Sequence, residues 1–167
     1  FDDQLTGGVH NVFVYEDHVY AVNNGRRFDV VSIEDPTQPR RVSRFETDTP
    51  GRAVHDVWVR DGIAYQAGRT DGIVMIDVGG SGDTDSAGSP ENPVEMGPAD
   101  QITRWNHAVW PMKSSSANKN YIFAGDETFH ENPRVPQGEQ FNPDIKLPLR
   151  AGGWIHVLDF DNPGEPK

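Results

Sequence analysis

Three segments of this 167-residue chain open on one pattern, and that repetition limits the fold more than any other feature. The first begins His10-Asn11-Val12-Phe13-Val14, the second His55-Asp56-Val57-Trp58-Val59 and the third His107-Ala108-Val109-Trp110-Pro111. Each opening is an alternating apolar run, the signature of a half-buried strand. A turn follows each: Glu16-Asp17-His18, then Asp61-Gly62, then a looser Ser- and Asn-rich stretch at 113–120. Asp-Gly suits a two-residue hairpin, because glycine tolerates positive φ. A second strand is predicted at Val19-Tyr20-Ala21-Val22, at 63–67 and at Tyr121-Ile122-Phe123-Ala124.

Third strands are predicted at 28–33, 73–78 and 155–160, with Ser32, Asp77 and Asp159 in equivalent places. A Pro-x-x-Pro then recurs at Pro36/Pro39, Pro90/Pro93 and Pro163/Pro166. Proline fixes φ and has no N–H, so it marks a break between strands. Outer strands are expected at 41–45 and 94–97. Four short strands per unit of about 45 residues, with no helical period, is the pattern of a β-propeller blade. The expectation is an all-β chain of about three four-stranded blades in a single domain. Blade 1 spans about 9–46, blade 2 about 54–98 and blade 3 about 105–167.

These segments resemble the LVIVD-repeat family. The likeness lies in Val30-Val31-Ser32-Ile33-Glu34-Asp35-Pro36-Thr37-Gln38-Pro39 and in Val157-Leu158-Asp159-Phe160-Asp161-Asn162-Pro163-Gly164-Glu165-Pro166. The second repeat, Met75-Ile76-Asp77-Val78, departs by inserting a Gly/Ser/Asp-rich loop before Pro90. The resemblance implies a secreted, periplasmic or cell-surface propeller and assigns no chemistry. Propellers close with about four to eight blades, so three blades are expected to form part of a larger ring, with seven the expected number. Only Lys167 follows the last proline pair, so blade 3 is expected to be incomplete. Closure by several copies is the alternative.

Net charge is −11, from 26 acidic against 15 basic residues. That balance argues against phosphate backbones and anionic membrane surfaces as partners. There are no cysteines, which removes disulfides, thiolate metal sites and a thiol nucleophile. No apolar run approaches the length of a transmembrane helix. No nucleophile elbow, phosphate loop or dinucleotide fingerprint is present.

Antiparallel order places the start of strand one and the end of strand two on the same rim. His10, His55 and His107 are therefore expected at one mouth of the central channel, one per blade. Asn24, Arg69, Asp126 and Glu127 should join them at the ends of the second strands. In the third repeat a long proline-stiffened insertion carries His130 and Glu131 to the same rim; such loops are frequently functional.

Two readings of the imidazoles stay open. In one, His10, His55, His107 and His130 with Asp126 and Glu127 bind a transition metal such as Cu, Zn or Fe. In the other, each histidine ties its strand to the neighbouring blade, and Arg69, Asn24 and Glu131 shape a binding rim. Asp83-Thr84-Asp85-Ser86-Ala87-Gly88 has calcium-loop spacing but lacks the third oxygen side chain and the closing Glu, so it reads as a solvated linker. His18 is expected in a turn and His156 as a packing or exposed strand residue. Trp58, Trp110 and Trp154 are expected to pack between blades. The functional expectation is a non-catalytic module binding a protein or small molecule at the rim, or serving as a subunit of an assembly. The alternative is a His-ligated metalloenzyme, an oxidoreductase or hydrolase.

Overall fold

The structure is a computed structural model. It describes residues 8–23, 25–47, 54–69, 71–79, 88–96, 106–126 and 155–161. Every regular element in them is a strand, and the strands form three antiparallel sheets.

The first sheet contains β1 (Val9–Tyr15), β2 (His18–Asn23), β3 (Arg27–Ser32) and β4 (Arg40–Glu46), in that spatial order. The second repeats the arrangement with β5 (Asp56–Arg60), β6 (Ile63–Ala67), β7 (Ile73–Asp77) and β8 (Val94–Glu95). The third holds β9 (Asn106–Ser114), β10 (Lys119–Asp126) and β11 (Ile155–Asp159). Each sheet is a meander in which neighbours in sequence are neighbours in space. β1 lies against β5 and β5 against β9, as the inner strands of consecutive blades do.

Local chemistry explains the turns. Asp61 and Gly62 have φ of 49° and 71°, and two positive φ values match the right-handed twist of the flanking strands. In the matching β1–β2 turn of the first blade only Glu16 takes positive φ, at 50°. His18, expected in that turn, instead opens β2 and pairs with Tyr15 and Ser32. The expected 113–120 turn is shorter, because β9 runs to Ser114 and β10 starts at Lys119. Pro111 sits inside β9 opposite Ile122. β9 is the terminal strand of its sheet, so the missing N–H breaks no second ladder. The outer strand of blade 2 is two residues long rather than four.

Alternation along each strand sorts side chains to the two faces of each sheet. Tyr20, Val22, Phe28 and Val30 of the first sheet meet Val57, Val59, Ala64, Val74 and Ile76 of the second. Ala67, Ile73 and Met75, from the other face of the second sheet, meet Val109, Ile122, Ala124 and Leu158 of the third. The core is thus two slabs, one per blade junction, and only blade 2 is covered on both faces by described residues.

Asp77 anchors the inserted loop of the second repeat. Its two carboxylate oxygens accept from the N–H groups of Gly79 (2.9 Å) and Gly88 (3.1 Å), closing the ends of the segment between them. Gly88 lies so close that a Cβ built on it would stand 2.4 Å from the Asp77 carbonyl oxygen. Of the calcium-like spacing, all but Gly88 lies outside the described residues.

Candidate functional site

The register places the start of each inner strand beside the end of the second strand. Val9 pairs with Asn23, Asp56 with Ala67 and Asn106 with Asp126. In the first and third sheets the register slips by one residue at the histidine: His10 lies between the paired Val9 and Asn11, and His107 between Asn106 and Ala108. A bulge re-aims the extra residue and leaves it outside the regular alternation. His55 directly precedes β5, and its N–H donates to the Ala67 carbonyl at 2.9 Å.

The three imidazoles converge into a column across the blades. His10 and His55 meet edge to face with ring centroids 4.5 Å apart, and their Nε2 atoms are 2.8 Å apart. His55 and His107 stack at 3.7 Å. Nδ1 of His55 lies 2.7 Å from the His107 carbonyl oxygen. A carbonyl only accepts, so Nδ1 of His55 carries the proton and donates. In neutral His55 the Nε2 is then a lone pair, and His10 supplies the hydrogen between them. Burial is the largest cause holding His55 below the ordinary imidazole range. Proximity of His107, Arg69 and His10 acts in the same direction, against the hydrogen bond to His107.

One residue further on, Asn11 Nδ2 donates to Asp56 Oδ1 at 2.5 Å, and Val57 N–H donates to the same oxygen at 2.9 Å. Burial pushes the Asp56 carboxyl up, partly offset by the Val57 hydrogen bond and by the neighbouring histidines. A second column runs below the imidazoles. Phe13 and Trp58 have ring centroids 4.4 Å apart, and Trp58 and Trp110 are 4.1 Å apart. The backbone joins the blades here as well. Val54 N–H donates to the Gly25 carbonyl at 2.8 Å, and Arg69 and Asn106 exchange N–H···O bonds of 3.2 and 2.9 Å. Gly25 and Arg69 both have left-handed φ, 61° and 51°.

Of the residues expected at the rim, His10, His55 and His107 are brought together, and Arg69 lies beside them in the turn that bridges to blade 3. The Asp126 carboxylate takes a different partner: its Oδ2 is 2.9 Å from His156 Nε2, and both side chains are largely buried. His156 is therefore the partner of an acid, not a packing or surface residue. Asn24, Glu127, His130, Glu131 and Trp154 lie outside the described residues. Among the described residues, no group of three or more His, Asp or Glu side chains is gathered as a metal ion would require. The 2.8 Å between the His10 and His55 Nε2 atoms is nonetheless the spacing of two adjacent nitrogens in a square-planar site, where two bonds of about 2.0 Å at about 90° put them about 2.8 Å apart, and is shorter than the roughly 3.3 Å of a tetrahedral one.

Sequence reasoning missed three polar clusters. The Asn11–Asp56 contact was signalled by an amide or acid directly after the histidine in two repeats. The buried Asp29 accepts from Asn23 Nδ2 (2.5 Å) and Arg44 Nε (2.7 Å), with Arg41 3.7 Å away. His156–Asp126 occupies the matching strand positions in blade 3 with donor and acceptor exchanged, whereas blade 2 has Gly68 and Val74 there. No spacing in the sequence announces the Asp29 and His156–Asp126 clusters, because they depend on register between strands.

The LVIVD repeat family model matches residues 6–47 and 51–98, more than half of the chain. Comparison with curated proteins gives no match, and comparison with solved structures gives none. The two matched segments coincide with the first two sheets, and the third sheet repeats their inner-strand histidine and aromatic. The chain belongs to the LVIVD-repeat family, and its three sheets are blades of a partial β-propeller.

Proposed function

We propose that this chain is a non-catalytic interaction module that presents the histidine-bearing rim of a propeller to a protein or small-molecule ligand outside the cell. One observation carries this reading: the rim's polar groups are bonded to one another across the blade junctions. Imidazoles that stack and hydrogen-bond between blades have an architectural reason to recur in every repeat. Asp56 is likewise held by Asn11 and by its own neighbour's N–H. The result is a rigid polar collar whose side chains are already oriented, which lowers the ordering cost of binding. The extracellular or cell-surface setting rests on the family likeness and is tested by protease shaving of intact cells: loss of the protein without lysis supports it, and survival until lysis overturns it.

A second reading is favoured by the tautomer of His55. A metal-bound imidazole usually donates its other nitrogen's hydrogen to a carbonyl or carboxylate. His55 does so toward His107 and aims its Nε2 lone pair at His10. Elemental analysis of the dialysed chain, followed by titration with Cu²⁺ and Zn²⁺, separates the two readings. The interaction module predicts no stoichiometric metal and no change in melting temperature on metal addition. One equivalent of tightly held metal, lost in His10→Ala/His55→Ala, would replace it with the metal-centred reading.

A further inference from the structure

Blades 1 and 2 make the same backbone link to the blade that follows, but with different residues. In each, a carbonyl at the rim accepts from the N–H just before the next inner-strand histidine: Gly25 from Val54 at 2.8 Å, and Arg69 from Asn106 at 2.9 Å. Both residues are left-handed, with φ of 61° and 51°. Glycine takes that conformation freely, whereas a residue with a Cβ does so under strain. A Cβ on Gly25 would meet the Val54 carbonyl oxygen at 3.7 Å, an ordinary contact, so glycine stands there for its φ and not for want of space. Among the described residues, the other non-glycine positive φ values belong to Glu16, Asp61 and Asn118, in turns at the opposite end of the inner strands. Arg69 alone of these lies at the histidine rim.

A strained conformation persists where its surroundings over-determine it, and such residues cluster at ligand sites. Arg69 exchanges two hydrogen bonds with Asn106 of blade 3, and its carbonyl also accepts from Gly72 at 3.3 Å. Its backbone is set between two of the imidazoles. His55 N–H is bonded to Ala67, two residues before Arg69, and His107 directly follows Asn106. The charge of Arg69 acts on the His55 imidazole. The nearby acids are engaged within the fold: Asp56 accepts from Asn11 and Val57, Asp126 pairs with His156, and Asp71 is buried.

A guanidinium offers a planar fork of N–H donors that matches a carboxylate bidentately. A chain of net charge −11 repels extended polyanions, so a single carboxylate suits this rim better than a polyphosphate or a nucleic acid. We infer that Arg69 is the ligand-contacting residue of the rim, held in a strained backbone conformation that presents its guanidinium, beside the imidazole column, to a carboxylate of the bound protein or small molecule. The inference rests on the rim being the binding surface and names the chemical group that it takes.

The test uses the whole chain, freed of metal by a chelator, with acetate as the probe and ionic strength held constant with sodium chloride. Nitrogen-15 NMR spectra follow Arg69 Nε–H and the histidine rings. Acetate is expected to shift the Arg69 signal saturably, and sulfate and phosphate to bind there more weakly. Arg69→Gly is expected to melt no lower than the wild type, because glycine relieves the φ. It should also weaken the acetate response of the histidine rings by about tenfold or more, as loss of a charge-assisted hydrogen bond does. Arg69→Lys keeps the charge without the fork and should weaken it by less. An Arg69 signal that acetate leaves unmoved overturns the inference. Tighter binding of sulfate or phosphate overturns the carboxylate. An Arg69→Gly chain that melts several degrees lower overturns it as well, since the side chain then holds the turn. Histidine-ring shifts that persist in Arg69→Gly overturn the role of Arg69 and leave the rim as a binding surface. Protease shaving and metal titration can fail without altering this readout, so the two readings are separable.

Discussion

At the scale of single residues, His55 gives the molecule a defined response to acid. Its imidazole is held below the ordinary value of 6.5, chiefly by burial and then by the charges of its neighbours. The unfolded chain therefore binds a proton at a pH where the folded chain does not, and stability rises with pH through that window. The contribution is complete above the ordinary imidazole value and is lost as pH falls through the lower, folded value. Asp56, pushed up mainly by burial, acts with the opposite sign in the more acidic range where carboxylates titrate. The melting temperature is expected to fall between pH 7.5 and 5.5, and most of that fall should vanish in His55→Gln. Thermal denaturation at the two pH values checks both. Gly88 supplies a second residue-scale prediction. A Cβ there would press on the Asp77 carbonyl oxygen at 2.4 Å and on its carboxyl carbon at 2.5 Å, and the backbone atom cannot yield without shifting β7. Gly88→Ala is expected to lower stability by about 1–3 kcal/mol, the usual range for overpacking, read from urea unfolding.

At the scale of strands, the aromatic column shows how one position in the repeat becomes an inter-blade contact. Phe13, Trp58 and Trp110 occupy the same place in β1, β5 and β9, and their rings meet at 4.4 and 4.1 Å. Such pairs contribute about 0.5–1.5 kcal/mol beyond the area they bury. A double-mutant cycle on Phe13→Ala and Trp58→Ala should give a coupling energy in that range, whereas Phe13→Ala with the distant Ile122→Ala should be additive. This column was legible in the sequence, because a period-2 strand and a recurring aromatic fix both the face and the spacing. The same holds for the shared rim of His10, His55 and His107, which follows from antiparallel order alone. The fate of Asp126 was not legible. Its partner His156 lies thirty residues away, across an insertion, and is decided by the register of β10 against β11. The bulges at His10 and His107 were equally hidden, since one slipped residue leaves the apolar alternation around it unchanged.

At the scale of the whole molecule, stability is distributed by neighbour contacts. Among the described residues the main contacts between sheets run from blade 1 to blade 2 and from blade 2 to blade 3, so the three blades form a short one-dimensional array in which a junction is lost or kept locally. Blade 2 is covered on both faces, by Tyr20, Val22 and Phe28 on one side and by Val109, Ile122 and Leu158 on the other. Its central strands β6 and β7 should therefore carry the slowest-exchanging amides. Ile122 is fully buried at the second junction and remote from the first. Truncation of such a residue removes about 2–5 kcal/mol. In an array with local coupling that loss falls on blade 3 and on the face of blade 2 that it covers. Hydrogen exchange of Ile122→Ala should accordingly show protection lost across β9–β11, reduced in β6 and β7, and retained in β2 and β3. Uniform loss over all three sheets would mean that the blades fold as one cooperative unit, with the imidazole and aromatic columns transmitting the damage along the inner strands. Retained protection in β2 and β3 would show the first junction standing without the second, which is the behaviour expected of modules that add one to another along a ring.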